Sequence, residues 1–388
     1  MKMEWILAGS VRLLLICTMV VGLFAFGERV YGKEIEKTQT DDMTIDFPDL
    51  QEIETLLDEM IPEYGISFEN VLETMRQGDY KTLLKKSTVY LRDIVEGEVL
   101  QNKALLVQIL LLMIVFSILR NFADVFSASK VSEMGFFVVF FVLLLLFAHS
   151  FTTMNQLAQQ TLENLNLFMR TLMPVFAGTV LMSGAPQTAF GYGELTIFLI
   201  YLVELCMEHI VLPIIHGFFV AQCLNYITNG ELLNSFGEVL GQTARWMMKA
   251  AAIAVFGMSI IQNMVAPAMD HWKMLSSRKA MTMLPGIGLT TDTITQMMIG
   301  SGTVLKSCVG MTGVIVIAAF CLLPVIKIWT ILFLYKITAM LAEPVADKRM
   351  VGILKKTSEA MGLILRMVFT VAGMFMTTLA VVVAVQRG

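Results

Sequence analysis

The sequence predicts an all-α, polytopic membrane protein. It has about seven transmembrane helices, a glycine-rich broken or re-entrant element, and a small N-terminal extracytoplasmic helical region. Three observations carry this. Of 388 residues, 56% are apolar and only 15% charged, too few charges for a soluble chain with so many unbroken apolar runs. Charge is unevenly spread: residues 28–103 hold 9 Lys/Arg and 18 Asp/Glu, whereas 104–388 hold 17 and 13, so an acidic aqueous segment precedes a slightly basic membrane segment. Seven apolar runs recur, each bounded by polar residues.

The first element is residues 1–27, read as a secretory signal peptide. Lys2 and Arg12 precede the apolar run 13–26, which is short for a span, and Ala25 and Gly27 stand at cleavage spacing. An uncleaved signal anchor is the alternative. Both place the acidic segment outside the cytoplasm.

Residues 28–103 form the acidic extracytoplasmic helical region. From Pro48, Leu50, Ile53, Leu56, Leu57 and Met60 recur at helical spacing until Pro62 and Gly65. Ser67 is a cap for a second helix with Phe68, Val71, Leu72 and Met75 on one face, and a third begins near Tyr80. Each needs cover for its apolar stripe. The acidity argues against anionic lipid and against nucleic acid.

Residues 104–388 form a permease-like transmembrane domain. Its apolar runs are 104–122, 134–151, 170–188, 195–227, 246–267, 313–341 and 362–385. The fourth exceeds one upright span, so Pro213 bends it or its end lies along the interface. The positive-inside rule places Arg120 and Lys130 inside, then residues 266–284 with Lys273, Arg278 and Lys279, then the most basic loop, 343–361, with Lys348, Arg349, Lys355 and Lys356. That alternation holds if the chain crosses once between 284 and 313.

The stretch that must cross reads LPGIGLTTDTITQMMIGSG, residues 284–302. Its candidate gate residues are Pro285, Gly286, Gly288, Asp292, Gly300 and Gly302, followed by Lys306. Irregular backbone at membrane depth survives where it is buried in protein or lines water. Asp292 is read as the cap of a short helix over 293–299 that Gly300 ends, a broken-helix pattern. Close helix packing through small residues is the alternative. Glu204 and Glu208, one turn apart in the fourth run, are candidate pathway residues, because ionisable groups inside apolar runs are costly and often functional. Interfacial snorkelling with one structural ion pair is their alternative.

Five cysteines show no CxxC spacing, and four of them sit in apolar runs as small hydrophobes, as the thirty methionines do. There is no phosphate loop, nucleophile triad or HExxH. The expectation is a non-enzyme with no catalytic, cofactor-binding or metal site.

Three stretches carry a family resemblance: "IPEYGISFENVLETMRQGDYKTLLKKSTVYLRDIVEGEVLQNKALLVQILLLMIVFSILRNF", "LPGIGLTTDTITQMMIGSGTVLKSCVG" and "CLLPVIKIWTILFLYKITAMLAEPVADKRMVGILKKTSEAMG". From Pro48 to the C-terminus the chain resembles the stage III sporulation protein AE family. Pro324, Lys327, Pro344 and Asp347 fall in the family's order, as do Pro285, Gly288, Asp292, Gly300, Leu305, Lys306 and Gly310, with slightly irregular spacing around Asp292. The resemblance implies a channel or export-gate component of the secretion-like complex connecting mother cell and forespore. It implies residence in the mother-cell (outer forespore) membrane and a need in late forespore gene expression. Implied partners are sister membrane and ring proteins, a secretion-type ATPase and membrane lipid, with a homo-oligomer and no nucleic acid. A stand-alone secondary transporter and a structural membrane scaffold are the alternatives.

Overall fold

In the computed structural model, the described backbone comprises Thr55, residues 96–118 apart from 105, 129–183, 186–228, 231–281 and 288–384. All of it belongs to the unit Pro48–Gly388. The signal-peptide reading, the three amphipathic helices before residue 96, and Pro285 and Gly286 lie outside the described residues.

Every described element is helical. In order they are α1 (Glu96–Ile118), α2 (Ser129–Met182), α3 (Pro186–Val203), a widened π-helical segment (Glu204–Val211), α4 (Leu212–Thr228), α5 (Glu231–Met281), α6 (Gly288–Ala342) and α7 (Lys348–Ala384). Among the described residues, six stretches are long and apolar enough to cross a membrane. The polytopic helical class therefore stands, with six such helices where the apolar runs suggest about seven.

The difference arises in α2. Runs 134–151 and 170–188 read from hydropathy as separate spans joined by an outside loop. The stretch between them is instead helical, and one 54-residue helix carries both runs up to Met182. Met154, Ala158, Leu162, Leu165 and Phe168 are buried along one of its faces, three and four residues apart, with Met169 beside them. The Thr161 hydroxyl donates to Leu157 O at 2.6 Å, so it needs no outside partner.

A second correction concerns the glycine-rich stretch. Helix α6 runs without interruption through Gly300, Gly302 and Gly310 to Ala342, so Gly300 does not end a helix and Asp292 lies within its second turn. Residues 288–342 are helical throughout.

The helices pack as successive antiparallel passes. α6 follows α2 in reverse along most of its length. Gly302 meets the backbone of Met182 and Ser183, Gly313 meets Leu172, Phe320 packs on Phe168 at 5.5 Å, and Tyr335 on Phe147 at 5.9 Å. α7 returns along α6, with Leu379 beside Gly313. α1 runs parallel to the last third of α6, since Glu98 bonds Lys327 at 3.4 Å and the Ser117 hydroxyl donates to Val345 O. Between α6 and α7 the turn is tied by Ala346 N–H to Ala342 O at 2.7 Å. Asp347 caps α7 by accepting from Arg349 N–H at 2.8 Å.

This order has a topological consequence. α5 is antiparallel to α4, with Gly237 against Gln222 and Gly241 against Phe218. Residues 266–281 therefore continue toward the α2–α3 turn. The 343–347 turn lies at the opposite end, where Tyr226 meets Gly352. The two basic segments, expected on one side, stand at opposite ends of the bundle. The loss of one crossing in α2 and the absorption of 288–302 into α6 cancel, so the 343–361 loop keeps its expected place relative to the start of α1.

Candidate conduit-lining site

The polar set is built where the widened segment meets α2, with Asn166 buried and Arg170 exposed. Pro213 cannot donate to the carbonyl of His209 four residues back, and its ring crowds that carbonyl. The chain accommodates it with the wider turns just before, where Leu212 N–H donates to Met207 O five residues back. The departure from a regular helix beside Pro213 is this widening of the turns before it. It sets the aim of Glu204 and Glu208, the first and fifth residues of the widened segment.

Both carboxylates face α2. Glu204 Oε2 accepts from Arg170 at 3.0 Å, and Glu208 Oε1 accepts from the Asn166 amide at 3.4 Å. Arg170 and Asn166 are themselves one turn apart, so two short ladders cross the α2–π interface in register. Asn166 is 6% exposed, and its Oδ1 has no hydrogen-bond partner among the described residues. A buried amide oxygen left open costs on the order of 1–3 kcal/mol unless water or another group reaches it. His209, the neighbour of Glu208, turns the other way, with Nδ1 3.1 Å from Glu204 O. His216 packs edge-on against Phe151 at 5.4 Å.

The remaining sequence-predicted residues separate from this set. Gly302 is pressed against α2: a Cβ there would lie 2.5 Å from the Met182 carbonyl carbon and 2.6 Å from Ser183 N. Gly300, two residues earlier, is exposed and faces open space. Lys306, one turn on, is 1% exposed and lies between the Gly302 and Gly313 contacts with α2. Twelve residues of α2 separate Met182 from Arg170, about 18 Å of helix. The glycines and the acidic pair therefore mark two levels of one interface. Gly288 opens α6, and Asp292 follows one turn later.

The cation that meets Glu204 is Arg170, and Lys327 forms an interhelical ion pair with Glu98. Sequence reasoning misses both pairings, because no spacing along the chain relates residues on different helices, and it misses Asn166 because hydropathy makes 152–169 a loop. Helical spacing of the buried residues from Met154 to Met169 is the signal that finds it. Cys223, Cys308 and Cys321 are buried and Cys206 half-buried, all free thiols. Among the described residues no group of three or more His, Cys, Asp or Glu is placed to hold a metal.

No solved structure matches the chain. It is 25% identical over 288 residues to "Stage III sporulation protein AE" of Bacillus subtilis (strain 168), a match covering 74% of this chain and 72% of that protein. The family described as Stage III sporulation protein AE matches residues 66–386, most of the chain and all of the site above. The chain is a multi-pass membrane protein that belongs to the stage III sporulation protein AE family, and its role lies in sporulation.

Proposed function

We propose that the protein is a channel or export-gate component of the sporulation-specific, secretion-like complex that connects mother cell and forespore, needed for late forespore gene expression. In this reading it sits in the mother-cell (outer forespore) membrane with its acidic N-terminal region extracytoplasmic. There it works as a homo-oligomer beside sister stage III membrane and ring proteins. The basic turn between α6 and α7 faces the secretion-type ATPase.

The observation that carries the reading is the Arg170–Glu204 and Asn166–Glu208 set between two helices apolar enough to cross a membrane. Ionised groups in that position are costly unless they meet water or a polar solute. The close Gly302–Met182 approach supports it, since a helix seated backbone to backbone passes small displacements directly to its neighbour.

The test is a sporulating strain carrying Glu204→Gln with Glu208→Gln. Late forespore reporter expression should fall toward background while the chain still co-purifies with its membrane and ring partners. Normal expression in that strain contradicts a conduit through this set, and loss of co-purification points to a scaffold.

A further inference from the structure

Two neighbouring helices carry a charge-free length at the same level. On α6 no Asp, Glu, Lys or Arg occurs in 307–326, between Lys306 and Lys327, and on α7 none occurs from 367 to the helix end at Ala384. Gly313 lies beside Leu379 and Gly362 beside Leu332, so the two lengths run side by side and Lys327 stands level with Arg366. The α6 length rises about 30 Å at 1.5 Å per residue, the thickness of a hydrocarbon core. Beyond Lys327 and Arg366, toward the 343–347 turn, charges recur on both helices at Lys336, Glu343, Lys355 and Glu359. A hydrocarbon core fits the first length and not the second.

α2 passes the middle of the charge-free length. Its Leu172 lies against Gly313, and its Phe168 packs on Phe320 at 5.5 Å. Gly313 and Phe320 stand equally far in from the two ends of 307–326. Arg170, midway between Phe168 and Leu172, is therefore near the centre, about 15 Å from either edge. Its side chain is 58% exposed, and that of Glu204, its partner, 39%. Glu163 and Leu167, two turns and one turn before Arg170, are exposed as well, as are Tyr201 and Leu205 next to Glu204.

An ion pair exposed at mid-core does not face lipid tails. The bilayer centre is where a charged group costs most, and snorkelling relieves side chains near the ends of a span rather than at its middle. Protein must close this face off from the lipid. The face carries both signs, with Glu163 and Glu204 on either side of Arg170 and two leucines beside them. It is complementary to itself: a copy turned about a two-fold axis offers carboxylates to Arg170 and leucines to leucines.

We propose that a second copy of this chain covers the face formed by Glu163, Leu167 and Arg170 of α2 with Glu204 and Leu205 of the widened segment, enclosing the ion pair between copies at mid-membrane. This rests on the homo-oligomer of the conduit reading and deepens it: the passage lies between chains rather than within one.

The test uses the full chain in phosphatidylcholine vesicles, with its five native cysteines replaced by alanine. Single cysteines at Leu167→Cys and Leu205→Cys report the face, and Leu322→Cys, exposed on α6 within the charge-free length, reports the lipid. After bimane labelling, position 322 should be quenched by lipid brominated on its tails, while positions 167 and 205 keep their emission. Unlabelled Leu167→Cys and Leu205→Cys chains, mixed and treated with a bis-maleimide, should run largely as dimers or larger species. Lipid quenching at 167 or 205 to the extent seen at 322 overturns the proposal, as does the absence of cross-linked chains. No quenching at 322 overturns the placement of the core on which it stands. Tyr201→Cys repeats the reading where Leu205→Cys does not fold. These readouts need no transport, so an inactive conduit with this interface intact is told apart from an active one without it.

Discussion

Gly300 and Gly302 look alike in the sequence and differ in the fold. A side chain at 300 meets nothing within 4 Å, whereas one at 302 runs into the backbone of Met182 and Ser183, which cannot rotate away. Gly300→Ala should therefore be neutral or stabilising by about 0.5–1 kcal/mol, because alanine is the better helix residue. Gly302→Ala should destabilise by at least about 1–3 kcal/mol, the usual cost of overpacking. Thermal unfolding in detergent checks both. Arg170 makes a different prediction. Its ion pair with Glu204 is 58% and 39% exposed at the two side chains, so in water it contributes no more than about 1 kcal/mol. Arg170→Gln should leave the melting temperature nearly unchanged while lowering late forespore expression. A large fall in melting temperature with normal expression would assign the pair to stability instead.

At the scale of the element, two features decide how the long helices begin and bend. Asp347 is the side-chain cap of α7, and Asp347→Ala should cost about 1 kcal/mol, read as a small drop in melting temperature with the fold intact. Pro213 and the widened turns before it aim Glu204 and Glu208 at α2. The acidic pair and its one-turn spacing are legible in the sequence because two carboxylates inside an apolar run are rare. Their partners are not, since averaging hydropathy over a span-length window erases an amphipathic helix, and 152–169 is amphipathic. The same averaging hides the union of two runs in α2. In the glycine-rich stretch the error runs the other way: glycine and threonine lower helix propensity, yet 288–302 is helical throughout.

For the whole molecule, the class, the apolar runs and the family resemblance are all legible in the sequence, because span-length apolar runs report burial in lipid directly. Sidedness is half legible. Counting crossings one by one places residues 266–284 and 343–361 together, and only the pairing of helices shows that two miscounts offset each other. The six-pass order also places the start of α1 and the end of α7 toward the end opposite the 343–347 turn. That order of passes underlies the conduit reading. Its most direct measurement is labelling of Lys273→Cys and Lys355→Cys in intact cells and in inverted vesicles with a maleimide that does not cross membranes. The two positions should react from opposite sides, position 355 only in inverted vesicles. Reaction of both from the same side contradicts the order.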